Sequence, residues 1–291
     1  MPSSPVFNTL VSITDLAAHR DDARWVVLDC RHDLVDPGAG RTAFTAGHIP
    51  GARFAAIDTD LSDKTASTDG TFRGRHPLPQ RAAFMDTLRN WGIDDSTQIV
   101  AYDAQGGMFA ARLWWMLRWV GHARVAVLDG GLPAWMAAGL PVSTGPEIAP
   151  AARGNLEDRP SLTSTVQAQD IFADVGTGER TVIDARAPDR FRGENETLDP
   201  VGGHIPGARN RFFKDNLQDD GRFKPAAELR AAFGALVSDP TTAIMQCGSG
   251  VTACHNLLAM EIAGLPGAAL YPGSWSEWCA DETRPVATGA N

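Results

Sequence analysis

The chain has 291 residues, 43% of them hydrophobic and 21% charged, with a formal net charge of −9. This composition excludes wholesale disorder, and at about 100–200 residues per domain the length predicts two domains. An acidic chain is a poor match for duplex DNA or an acidic membrane surface, so neither is expected as a partner. No run approaches the roughly 18 apolar residues of a membrane span, and residues 1–7 lack the basic start and apolar core of a secretory leader. The four cysteines, Cys30, Cys247, Cys254 and Cys279, have neither a C-x-x-C pattern nor a Cys/His metal spacing. Free thiols, no metal and a cytoplasmic location are the expectation.

In chain order, short β-branched runs alternate with helical patterns. The first half predicts strands over 26–29, 99–102 and 125–128 and helices over 81–91, 110–120 and 132–138. The second half predicts strands over 182–184, 242–245 and 269–271 and helices over 225–236, 251–263 and 274–280. Such alternation implies an α/β fold, each half a parallel sheet flanked by helices on both faces.

The halves are copies of one another. The heptapeptide Gly-His-Ile-Pro-Gly-Ala-Arg occurs at 47–53 and again at 203–209, an offset of 156. An apolar run ends in Asp29-Cys30-Arg31 and again in Asp184-Ala185-Arg186; residues 130–135 match 273–278, and Pro141-Val142 matches Pro285-Val286. The repeat predicts two tandem domains, 1–145 and 161–291, joined by a Pro/Gly-rich linker at 146–160. His48 and His204 occur in both copies and read as structural. Arg31 and Arg186 each follow a strand Asp and read as its salt-bridge partner.

Ligands of open α/β sheets bind beyond the carboxyl ends of the strands. The strand at 242–245 runs into Gln246-Cys247-Gly248-Ser249-Gly250-Val251-Thr252-Ala253 and then a helix, a tight loop of small residues. Its backbone N–H groups can turn inward as an anion-binding nest, with Gly248, Gly250, Val251 and Thr252 as the substrate-binding positions. A Cys beside a helix N-terminus and a ring of amide dipoles is favoured as thiolate, so Cys247 is the candidate nucleophile. Cys30, inside a strand, and Cys254, a helical turn beyond the loop, read as buried apolar fillers. No chemistry is assigned to Cys279.

A cysteine phosphatase needs an Arg six residues after its Cys; that position is Ala253, and the loop itself has no cation. The loop suits instead a persulfide whose terminal sulfur is held by N–H donors. In the first half the matching loop has Asp103 where the second has Cys247, an offset of 144. A carboxylate cannot carry transferable sulfur, so the first domain is expected to be catalytically silent. The fall in offset from 156 to 144 leaves 12 extra residues in the first half, around 62–79, including Arg73, Arg75 and His76. Such an insertion is ordinarily a surface loop; its functional reading is a segment that crosses to the other domain.

The Cys247 loop, the doubled Gly-His-Ile-Pro-Gly-Ala and Gly273-Ser274-Trp275-Ser276-Glu277-Trp278 together resemble the tandem-domain rhodanese superfamily over nearly the whole chain. The loop is similar to that of the 3-mercaptopyruvate sulfurtransferases. Thiosulfate sulfurtransferases resemble the chain elsewhere but usually carry Arg and Lys where it has Gly248 and Ser249. The resemblance implies that Cys247 becomes a persulfide and that Ser249 acts on the substrate thiol with His76 and Asp58, with Asp60 as the competing carboxylate. It also implies that Arg190 grips the substrate carboxylate, which a guanidinium does bidentately. The mercaptopyruvate enzymes carry a second carboxylate-binding Arg a little further on. Here residues 194–199 read Glu-Asn-Glu-Thr-Leu-Asp, so either Arg192 substitutes or the substrate is held by fewer charges.

The implied activity is transfer of sulfane sulfur from 3-mercaptopyruvate through Cys247 to a thiol or cyanide, with release of pyruvate. It requires no cofactor beyond the Cys247 persulfide. The alternatives are a thiosulfate:cyanide sulfurtransferase and a persulfide-relay protein serving a dedicated partner. A small-molecule donor, a thiol or cyanide acceptor and a thioredoxin-like reductant are the expected partners of a monomer.

Overall fold

The computed structural model describes residues 6–65 and 70–290. They form two compact units. The first holds the residues up to Leu61 with Pro79–Leu162 and Asp219–Phe223; the second holds Ser62–Leu78, Thr163–Gln218 and the chain from Lys224. No described helix is long and apolar enough to cross a membrane.

In the first unit the strands are β1 (Leu10–Val11), β2 (Trp25–Asp29), β3 (Arg53–Phe54), β4 (Gln98–Tyr102) and β5 (Val125–Leu128). Its helices are α1 (Ile13–His19), α2 (Ala39–Ala46), α3 (Arg81–Asn90), α4 (Ala110–Trp119) and α5 (Gly131–Ala137). The second unit has β6 (Ser164–Thr165), β7 (Thr181–Asp184), β8 (Arg209–Asn210), β9 (Ala243–Gln246) and β10 (Ala269–Leu270). With them are α6 (Ala168–Asp174), α7 (Pro188–Arg192), α8 (Ala226–Gly234), α9 (Ala253–Ile262) and α10 (Ser274–Trp278).

Among the described residues each unit has one five-stranded sheet, ordered β1-β5-β4-β2-β3 and β6-β10-β9-β7-β8, with every pair parallel. The two windings are the same. Strands β2 and β4 are buried at all five positions. Successive side chains point to opposite faces, so burial of all of them requires cover on both faces. On one face Val27, Val100, Tyr102 and Leu128 pack with Leu16, Phe44 and Trp135; in the second unit Val182, Ile244 and Tyr271 pack with Ile171, Phe191, Trp275 and Trp278. Helix α4 packs on β4 and β5, and α9 on β9 and β10.

The repeated heptapeptide is structural in both copies. His48 stacks on Phe44 with ring centroids 3.9 Å apart and bonds its carbonyl through Nδ1; His204 repeats this on Phe191 at 3.8 Å. Arg31 chelates the Asp29 carboxylate and donates to Gly47 O at 2.7 Å. Arg186 does the same with Asp184 and donates to Gly203 O at 2.6 Å. Each Arg thus ties the end of a core strand to the heptapeptide.

The predicted strands and long helices are present with ends shifted by a residue or two. The elements without a sequence signal are short: β1, β3, β6 and β8 have two residues each, too few for an alternating pattern. Helix α2 reads AGRTAFTA, in which Phe44 is the one large apolar side chain. The stretch 146–160 has no regular secondary structure and is fastened to the first unit. Gly154 N donates to Arg89 O at 2.7 Å, Leu156 N to Ile93 O at 3.2 Å, and the Leu156 side chain is buried.

Central strand β4 ends in the Asp103 loop. The buried Asp103 carboxylate accepts four backbone N–H groups, from Gln105 (2.8 Å), Gly107 (2.9 Å), Phe109 (2.8 Å) and Ala110 (3.0 Å). Asp103→Ala strands buried donors, each worth about 1–3 kcal/mol when left unmade. It should destabilise the first unit by more than about 3 kcal/mol, read as a lower urea midpoint, with Asp103→Asn milder. An Ala variant as stable as the parent would show that the loop does not depend on the carboxylate.

Candidate active site

The counterpart in the second unit is the turn from β9 into α9. Cys247 is buried there, and its Sγ accepts from Ser249 N at 3.5 Å, as Asp103 accepts from Gln105 N. Gly250 makes the turn at φ +76°, where a Cβ would lie 2.4 Å from the Pro272 carbonyl oxygen. A side chain is excluded there by both conformation and backbone. The Val251 and Thr252 carbonyls accept from Cys254 N and His255 N and so start α9. Cys254 lies in that first turn, its S–H directed at Gly250 O at 3.3 Å. Burial pushes the Cys30 thiol well above its ordinary range, and burial followed by Asp199 pushes Cys279 up to about 11.

The segment 273–276 clamps this loop. Trp275 N donates to Cys247 O and Ser276 N to Gly248 O, both at 3.0 Å. Ser274 Oγ accepts from Cys247 N at 3.1 Å and donates to Tyr271 O at 2.9 Å. Ser274 is the only non-glycine at positive φ among the described residues, at +53°. In the first unit the matching position is Gly131 (φ +57°), followed by a Leu132 N to Asp103 O bond of 2.9 Å. The second unit accepts left-handed backbone strain in a side-chain-bearing residue and gains a hydroxyl on the Cys247 amide.

The described part of Ser62–Leu78 belongs to the second unit, and it supplies two of the groups around Cys247. His76 Nδ1 lies 2.8 Å from Ser249 Oγ, a hydrogen bond between buried side chains. Arg75 N donates to Ser276 Oγ at 3.1 Å, and the Arg75 guanidinium contacts Asp199. Gly248 faces both this guanidinium and that of Arg190. A Cβ on Gly248 would lie 2.7 Å from Arg75 Nη2 and 3.6 Å from Arg190 Nη2. The loop has no cation of its own, yet two cations meet over it.

Arg190 is held by Glu196, through Nε to Oε2 at 3.1 Å and Nη2 to Oε1 at 2.8 Å. Burial opposes the charge on Glu196, but its bonds from Arg190 and the Leu198 amide outweigh this and hold its carboxyl below the usual range. Arg192 lies apart from Gly248 in its contacts. It is paired with exposed Glu194 at 2.6 Å, and Arg75 occupies the place beside Gly248 instead. Arg186 is committed to Asp184 and lies 4.7 Å over the Trp275 ring. Asp58 and Asp60 belong to the first unit, where Asp60 Oδ2 accepts from Ala56 N at 2.8 Å and burial raises its carboxyl pKa.

Two participants had weak sequence signals. Arg75 stood in the insertion beside His76 with nothing to separate it from Arg73. Ser274 differed from its repeat partner Gly131, and that difference was the available sign.

The Rhodanese-like domain model matches this chain twice, over residues 12–138 and 167–281. The chain belongs to the rhodanese family. Its relatives include the protein named "Probable 3-mercaptopyruvate sulfurtransferase" of Pseudomonas aeruginosa, 45% identical over 284 residues that cover 96% of this chain and 98% of that one. The thiosulfate sulfurtransferase of Gallus gallus is 37% identical over 258 residues, 87% and 85% of the two chains. Among solved structures, the 3-mercaptopyruvate sulfurtransferase from Leishmania major superposes with a TM-score of 0.83 at 30% identity, covering 96% of this chain and 75% of that one. Relatives of this rhodanese therefore carry names for both donors.

Ser274→Gly keeps the left-handed backbone and removes the hydroxyl. Stability should change by no more than about 1 kcal/mol, because relief of strain offsets the lost bond. Sulfur transfer should fall by about ten-fold, the equivalent of one hydrogen bond to the Cys247 amide. A thermal melt beside a turnover assay checks both. Unchanged turnover would reduce Ser274 to a turn residue.

Proposed function

We propose that this chain is a sulfurtransferase that takes sulfane sulfur from 3-mercaptopyruvate onto Cys247 and hands it to a thiol or cyanide. The observation that carries the donor is the convergence of Arg75 and Arg190 on Gly248, next to the nucleophile. Two guanidiniums there suit a carboxylate. The Ser249–His76 pair supports a donor with a proton to move.

In the proposed reaction the Cys247 thiolate bonds to the donor sulfur while the donor's C–S bond breaks. That electron pair leaves on the pyruvate skeleton as its enolate. The proton of the donor thiol passes by way of Ser249 and His76 to the enolate carbon. The products are pyruvate and the Cys247 persulfide anion. An acceptor thiolate or cyanide then attacks the terminal sulfur and returns the Cys247 thiolate. A thioredoxin-like dithiol has the right chemistry for an acceptor, and the cycle needs no cofactor or metal because Cys247 carries the group.

Asp103 lends support to the persulfide. Its carboxylate oxygens stand two bonds from Cβ, and so would the terminal sulfur on Cys247. Four N–H groups hold the oxygens in the first unit's loop. The same kind of turn in the second unit suits an anionic sulfur at that reach.

A thiosulfate donor is the second reading, favoured because the same two guanidiniums would also serve a dianion. The proton separates the two, since thiosulfate releases sulfite with no thiol proton to relocate. The kcat/KM for mercaptopyruvate should exceed that for thiosulfate by at least about 100-fold. His76→Ala should lower mercaptopyruvate turnover by about 10²–10⁴-fold and thiosulfate turnover by much less. Equal parent efficiencies would make thiosulfate the better reading.

Cys247→Ser should abolish transfer from either donor while the fold persists. Mass spectrometry after donor treatment should find one added sulfur atom, on Cys247. Label on Cys254 or Cys279 in its place would overturn the assignment of the nucleophile.

A further inference from the structure

We infer that Asp199 is a built-in carboxylate competitor for the Arg75–Arg190 pair, and that it sets how tightly the chain holds a carboxylate donor. The inference rests on the reading of those arginines as the donor's carboxylate grip.

The loop after α7 presents two acids to the arginines, and their settings differ. Glu196 is fixed from several sides. It chelates the Nε–Nη2 edge of Arg190, its Oε1 also accepts from Leu198 N at 2.9 Å and Asp199 N at 3.2 Å, and its Oε2 lies 3.4 Å from Arg186 Nη1. Removing Glu196 would unfasten Arg190. Asp199 instead spans the two arginines, with Oδ1 on Arg75 Nη1 and Oδ2 3.4 Å from Arg190 Nη2.

Asp199 is therefore a carboxylate bound by the two guanidiniums that are proposed to bind the donor's carboxylate. Its side chain is 3% exposed, whereas Arg75 and Arg190 are 27% and 19% exposed, so the guanidiniums can be reached while the acid cannot leave freely. A donor carboxylate arriving at these nitrogens shares them with a second negative charge, which weakens the hold. Product pyruvate carries the same carboxylate, and the internal competitor favours its departure. Tight ground-state binding does not speed the chemical step.

The test compares the full-length parent with Asp199→Asn and Glu196→Gln. Pyruvate, which has the carboxylate but no transferable sulfur, is titrated by calorimetry, and KM and kcat for mercaptopyruvate are measured in parallel. Asp199→Asn should bind pyruvate about ten-fold tighter and raise kcat/KM for mercaptopyruvate through a lower KM. Glu196→Gln should move pyruvate affinity and KM the opposite way. A purely structural Asp199 would weaken binding in both variants. Pyruvate affinity in Asp199→Asn equal to or below the parent's overturns the inference. If that variant does not fold by circular dichroism, Asp199→Ser replaces it in the same titration. A parent that releases no pyruvate from mercaptopyruvate ends the donor reading, while the calorimetric comparison still decides the role of Asp199.

Discussion

Backbone N–H groups turned inward at the end of a central parallel strand must meet a negative or strongly accepting atom, and much of this protein follows from how that demand is met. The first unit meets it with Asp103, whose buried carboxylate takes four of them. The second unit builds the same turn after β9 and offers Cys247 Sγ to Ser249 N. One position carries a carboxylate that serves as a folding element; the matching position carries a thiol. A duplicated fold can therefore divide its labour through a single side chain, because the cradle belongs to the backbone.

The scaffold around the turn is conservative by comparison. Asp29–Arg31 and Asp184–Arg186 perform the same task in the two units, as do His48 and His204 on their Phe partners. Departures from symmetry gather at the Cys247 loop. Ser274 replaces a left-handed glycine, and the insertion brings Arg75 and His76 to the second unit. The acids Glu196 and Asp199 answer the extra positive charge. Without them two arginines would lie side by side with their charges uncompensated.

Most of the fold was legible in the chain, because it rests on local regularities. The heptapeptide repeat marked the duplication, and the alternation of β-branched runs with helical stretches marked two parallel sheets. Two-residue edge strands such as β3 and β8 carried no signal, since their pairing is decided by the neighbouring strand rather than by their own pattern. Cys247 was equally legible, because its setting of strand end, glycines and helix start lies within a few consecutive residues.

The charge around that cysteine was not. Arg192 stands two residues from Arg190 in the chain, whereas Arg75 lies in the insertion more than a hundred residues away, so the sequence left open whether Arg192 or fewer charges hold the donor. The tertiary structure commits Arg192 to Glu194 and brings Arg75 to Gly248. It also joins His76 to Ser249 across 173 residues of chain. Sequence by itself determined the repeat, the sheets and the strand-end setting of Cys247, all set by short-range pattern and backbone geometry. Only the tertiary structure decided which guanidiniums gather beside Gly248, because electrostatic partnership depends on distance in space, and chain separation does not encode it.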